Sequence, residues 1–141
     1  MIATFTTMPQ MFWDCNDKYF NRSLPAPKYG LIKKLNTLAR FEFWPAKKGR
    51  HPIKFQRILF SEYYDFDEET FRDIMAHELI HYWLAWNGVK TRRDHGKEFM
   101  AKATELNTKY GLHITKTIDT STLKRTPNAP TFTGLLQWLH G

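Results

Sequence analysis

The segment His77-Glu78-Leu79-Ile80-His81 constrains the fold most strongly, because it combines two histidines and a glutamate at a fixed spacing. Residues four positions apart lie one above the other on an α-helix, so the imidazoles of His77 and His81 can reach one metal ion. Glu78 follows the first histidine and can hydrogen-bond to a water on that metal without being a ligand itself. The pattern therefore predicts a metal-binding helix with Glu78 as the catalytic base.

The residues around this motif predict that its helix is long and largely buried. Negative charge between positions 65 and 69 favours a helix N-terminus there, and Gly88 is a typical stop. Between them, apolar residues recur at a spacing of three or four: Phe71, Ile74, Met75, Leu79, Trp83 and Trp86. A partly buried set of histidine and glutamate side chains needs polar partners, and a metal ion supplies them.

A catalytic zinc site uses three protein ligands and leaves its fourth position for water, so a third ligand is required. Two candidates lie downstream, where the next predicted helix begins. His95 would make the site a three-histidine site, whereas Glu98 would make it a two-histidine, one-carboxylate site. Helix periodicity alone does not separate the two.

The two motifs together resemble the SprT-like metalloprotease family. The HELIH segment is followed after thirteen residues by His-Gly-Lys-Glu-Phe, which begins at His95, and the resemblance covers roughly residues 8–112. It implies a zincin-like core, one Zn²⁺ ion with His95 as its third ligand, and hydrolysis of peptide bonds in protein substrates. It also implies a role near DNA, on bound or crosslinked proteins, and hence in DNA repair. Many members carry a cysteine-rich zinc-binding segment, which this sequence lacks because Cys15 is its only cysteine.

The order of the predicted elements indicates an α+β fold, because helices and strands do not alternate as βαβ units. We expect a small three-stranded, antiparallel-type sheet packed with about three helices. The strands are predicted around residues 29–35, 37–44 and 53–60, and the helices at about 8–20, 65–87 and 96–110.

We expect one SprT-like metalloprotease domain over residues 1–118, since a chain of 141 residues suits a single domain. Residues 119–141 are then a C-terminal extension. A short strand is predicted at 112–118, a loop at 119–130 and a small helix at 132–140. That helix either docks on the core, or it covers the cleft or binds a partner.

The positive charge is concentrated in the first part of the chain. Residues 1–60 carry a net charge of +8, whereas residues 61–141 carry −1. A localised basic surface attracts polyanions, so single- or double-stranded DNA is a candidate partner. The candidate contacts are Lys33, Lys34, Arg40, Lys47, Lys48, Arg50, Lys54 and Arg57, with Phe41, Phe43 and Trp44 nearby for stacking on bases.

The sequence suggests two kinds of supporting residue without assigning their roles. Asp73, one turn before His77, is a candidate acceptor for a ligand histidine, although an acid near a helix N-terminus has an equally good structural reason. Tyr63, Tyr64, Arg92 and Arg93 are candidates for stabilising an oxyanion, and none of them is assigned.

Composition also bears on location. A single cysteine excludes an internal disulfide framework, and no apolar run approaches the roughly 20 residues of a membrane span. The first ten residues do not resemble a secretory signal, so we expect a cytoplasmic protein with no membrane partner. Two alternatives to a DNA-associated peptidase stay open: a non-catalytic DNA-binding module with structural zinc, and a peptidase unrelated to nucleic acid.

Overall fold

The computed structural model describes residues 1–45 and 53–130. It confirms the α+β class, with three α-helices and three strands in this part of the chain. The elements are α1 (Thr7–Tyr19), β1 (Lys28–Ile32), β2 (Ala39–Pro45), β3 (Ile53–Ser61), α2 (Glu68–Trp86) and α3 (Lys97–Tyr110), followed by a 3₁₀ turn at Thr120–Thr122. The arrangement is compatible with a zincin-like core.

The sheet is mixed, so the expectation of an antiparallel-type sheet is wrong for one of its two strand pairs. The strand order is β1-β3-β2, with β2 antiparallel and β1 parallel to β3. The chain reverses direction between β1 and β2 and again between β2 and β3, so β3 runs in the same direction as β1. Because β1 pairs with β3 and not with its sequence neighbour β2, the pairing is parallel.

The two faces of the sheet differ in what covers them, because side chains alternate between faces along a strand. Ile58 and Phe60 of β3 point to the inner face and are fully buried. Helix α2 covers this face: Phe71 stacks on Phe60 at a centroid distance of 4.8 Å, and Tyr82 stacks on Phe41 of β2 at 5.1 Å. The inner face is therefore part of the core.

Helix α2 begins and ends where its local sequence predicts. The carboxylate of Asp67 accepts a hydrogen bond from the backbone N–H of Thr70 at 2.7 Å, which satisfies one free donor of the first turn. After Trp86 the chain turns away through Gly88, whose φ of 68° suits glycine. None of the helices in the described residues is both long and apolar enough to cross a membrane.

Two predictions concern the chain after α3. The strand predicted at 112–118 is wrong: these residues are all described and form no strand. The predicted helix at 132–140 lies outside the described residues. Between the two, the backbone of residues 124–126 bonds to residues 63–65, through Asp65 N–H to Lys124 O at 2.8 Å and Thr126 N–H to Tyr63 O at 2.8 Å. The start of the extension is thus attached to the loop before α2.

Candidate metal centre

Three histidine side chains meet at the surface of α2. His77 and His81 lie on consecutive turns of α2, and His95 lies just before α3. Their Nε2 atoms are 3.3 Å apart between His77 and His81, 3.2 Å between His81 and His95, and 3.0 Å between His95 and His77. These three nitrogens could hold one metal ion, and within the described part of the chain the cluster contains no carboxylate. Geometry thus brings His95, and not Glu98, to the HExxH histidines.

A buried phenylalanine supports all three rings. Phe99 of α3 is fully buried, and its ring centroid lies 4.7 Å from that of His77, 4.8 Å from His81 and 4.9 Å from His95. Phe99 is the last residue of the His-Gly-Lys-Glu-Phe motif, but the sequence alone indicated no role for its ring. Phe99 gives the cluster an apolar floor that restricts how the imidazoles can move.

The orientation of His77 is set by a backbone carbonyl. Its Nδ1 lies 2.8 Å from the carbonyl oxygen of Thr115, so the ring donates its N–H there and leaves the Nε2 lone pair free. Asp73, the candidate acceptor named above, instead accepts the backbone N–H of His113 at 3.1 Å. The carbonyl had no sequence signal, because every residue has one.

The segment that carries this carbonyl is clamped by a side-chain amide. Asn107 of α3 donates through Nδ2 to the carbonyl of Ile114 at 3.0 Å and accepts the Ile114 N–H through Oδ1 at 2.8 Å. Since both backbone groups of the buried Ile114 bond to this amide, residues 112–115 need no strand partner. We call residues 112–115 the strap.

The electrostatics of the cluster favour neutral imidazoles. Burial lowers the pKa of His77 to about 4, partly opposed by its bond to Thr115, and burial with neighbouring histidines lowers the pKa of His81 to about 3. Burial raises the pKa of Glu78 to about 8, and the backbone N–H of Phe41, which donates to this carboxyl group, opposes the shift. At neutral pH the two histidines therefore offer lone pairs to a metal ion.

These residues line a cleft of about 550 Å³ between strand β2 and the segment after α3. His77, Glu78 and His81 line it, together with Phe41 and Phe43 of β2. Tyr63, Tyr64, Arg92 and Arg93 are not among the described residues that line it. The hydroxyl of Tyr64 instead donates to the carbonyl of Leu35 inside the core.

The predicted nucleic-acid contacts are dispersed. Lys33 and Lys34 are exposed just after β1, whereas Arg40 and Arg57 both pair with Glu42 in the sheet, with 2.9 Å between Arg40 Nε and Glu42 Oε2. Three further predicted contacts, Lys47, Lys48 and Arg50, lie outside the described residues, as does the side chain of Lys54.

Comparison with known protein families identifies the family of the chain. The model of the SprT-like family matches residues 8–119, which is most of the sequence. The chain belongs to the SprT-like family. This family is associated with metallopeptidase-type activity, and the match confirms the resemblance seen in the motifs. A search of curated proteins finds no sequence that matches this SprT-like chain.

Proposed function

We propose that this SprT-like chain is a zinc-dependent metallopeptidase in which His77, His81 and His95 bind the metal and Glu78 is the general base. One observation supports the proposal most strongly: the Nε2 atoms of the three histidines lie close together, and these histidines line a cleft together with the buried Glu78. A peptidase needs these parts together, because the metal, the base and the scissile bond have to meet at one place.

The donor set fits zinc. Nitrogen ligands at 2.0–2.1 Å from a tetrahedral ion lie about 3.3 Å from one another. The three observed separations, 3.0 to 3.3 Å, agree with that value. A closed structural site uses four protein ligands, whereas a catalytic site uses three. The described residues add no fourth histidine, cysteine or carboxylate to the cluster, which favours a catalytic site.

Each residue of the site has its own role in peptide hydrolysis. When bound, zinc supplies Lewis acidity, which polarises the scissile carbonyl and lowers the pKa of water. Glu78 takes the proton from the attacking water and passes it to the leaving amine. The Phe41 N–H holds the Glu78 carboxyl group in place, and the Thr115 carbonyl keeps the Nε2 lone pair of His77 available.

The substitution Glu78→Gln tests the assignment, because it keeps the size and removes the base. We expect normal zinc content by elemental analysis and a loss of casein hydrolysis of about 10²- to 10⁴-fold. Glu98→Gln is the matched control, since Glu98 lies outside the histidine cluster, and it should retain activity. Peptide hydrolysis that persists in Glu78→Gln would contradict the proposal, and so would its absence from the zinc-loaded wild type, which would favour a non-catalytic module.

The proposal extends to proteins bound or crosslinked to DNA as substrates. It is supported by the charge of +8 on residues 1–60 and by the exposure of Lys33 and Lys34. DNA affinity measured between about 50 and 200 mM salt should fall steeply, because bound cations release counterions from the phosphates. An affinity that does not respond to salt would contradict this extension and would favour a peptidase that is unrelated to nucleic acid.

A further inference from the structure

The sheet face turned away from α2 exposes large rings beside cations. We call this the open sheet face, defined by Lys28 of β1, Arg40 and Trp44 of β2, and Phe55 and Arg57 of β3. Trp44 is 47% exposed and Phe55 is 37% exposed, whereas Ile58 and Phe60 of β3, on the inner face, are fully buried. Exposed rings on neighbouring strands are a feature of surfaces that bind a partner.

The rings and cations lie on consecutive rungs of the sheet. Trp44 pairs with Phe55 across β2 and β3, and their rings meet edge to face at a centroid distance of 4.9 Å. On the next rung of this face, Arg57 lies between Glu42 and Lys28, and its guanidinium carbon is 5.8 Å from the centre of the Trp44 ring. Stacking surface and positive charge are therefore adjacent.

The charge on this face favours an anionic partner. This face carries three cations, Lys28, Arg40 and Arg57, and one carboxylate, Glu42, with which both arginines pair. The arginine side chains remain 44% and 39% exposed, so guanidinium N–H groups stay accessible. Ion pairs this exposed contribute little to stability in water, so they can be exchanged for contacts to phosphate.

We infer that the open sheet face binds a single-stranded nucleic acid. Bases stack on Trp44 and Phe55, and phosphates contact Arg40, Arg57 and Lys28, because rings bind any base through its π-face while cations follow the backbone. Duplex DNA suits the face less well, since its bases already stack on one another. The inference deepens the nucleic-acid part of the proposed function and does not require hydrolysis.

The test measures binding in the full chain carrying Glu78→Gln, so that no cleavage interferes. The probes are a fluorescent oligothymidine of about 15 nucleotides, which spans such a face, and a labelled duplex of the same length. We expect tighter binding of the single strand, quenching of tryptophan fluorescence, and an affinity that falls about 5- to 100-fold in Trp44→Ala. Arg57→Gln should reduce the salt slope by about one.

The matched control is Phe5→Ala, which removes another exposed ring, 63% accessible and outside the sheet. Thermal melts of all variants establish that they are folded. Equal affinities of Trp44→Ala and Phe5→Ala would overturn the inference, as would equally tight binding of the duplex. Binding that does not respond to salt would show that the cations of this face do not contact phosphates and would also overturn it. Casein hydrolysis by the wild type, measured without DNA, tests the peptidase proposal separately.

Discussion

Replacing Asn107 with leucine should weaken zinc binding without touching a ligand. The substitution keeps the approximate size of the side chain and removes both hydrogen bonds to Ile114, at 3.0 and 2.8 Å. Ile114 is only 3% exposed, so its N–H and C=O lose their partners in a place that is largely shielded from water. The strap can regain these bonds only by moving outward, and Thr115 then moves away from His77.

The size of the effect follows from the contacts. An unsatisfied buried polar group costs about 1–3 kcal/mol, so two such groups would lower the free energy of unfolding by about 2–6 kcal/mol if the strap stayed in place, and detachment of the strap is the cheaper outcome. The detached strap loses the hydrogen bond between His77 Nδ1 and the Thr115 carbonyl. Loss of such an outer partner lowers metal affinity about 10- to 100-fold.

The assay is competition for zinc against a chromophoric chelator, with thermal melts of the metal-free protein alongside. Thr115→Ala is the matched control: it removes the hydroxyl that donates to Thr117 O at 2.8 Å and keeps the carbonyl that faces His77. We expect normal zinc affinity in this control. If Asn107→Leu is destabilised and yet binds zinc as tightly as the wild type, the strap does not orient His77.

Two further predictions concern stability. The unfolded chain protonates His77 and His81 below pH 6.5, whereas in the folded, metal-free protein their pKa values are about 4 and about 3. Melts of chelator-treated protein should therefore show stability falling as pH drops from 6.5 toward 4. Glu78, with a folded pKa of about 8, opposes this trend, so the fall should be steeper in Glu78→Gln; a flat profile would contradict the burial argument. Asp67→Ala should cost about 1 kcal/mol at pH 7 by removing the cap on Thr70; an unchanged melting temperature would show that the cap contributes nothing.

Local patterns accounted for the helices and for two of the three histidines. Helix α2 was predicted at about 65–87 and runs over Glu68–Trp86, and α3 was predicted at about 96–110 and runs over Lys97–Tyr110. These predictions succeeded because caps, stops and the spacing of His77 and His81 depend on residues within a few positions of one another. The predicted strand at 112–118 failed because the Asn107 amide satisfies the backbone of Ile114 in place of a strand partner.

The helix that presents His77, Glu78 and His81 follows from the order of residues along the chain. The motifs that indicate the family depend on the same local order. Two features depend on the tertiary structure alone: the parallel pairing of β1 with β3 and the carbonyl of Thr115 that faces His77. The fold also brings His95, the third ligand that the family resemblance implies, to the other two histidines. Each depends on segments far apart in sequence, and neither periodicity nor residue type records how such segments approach in space. Burial of the cluster, which shifts the pKa of Glu78 upward, likewise exists only once those segments have met.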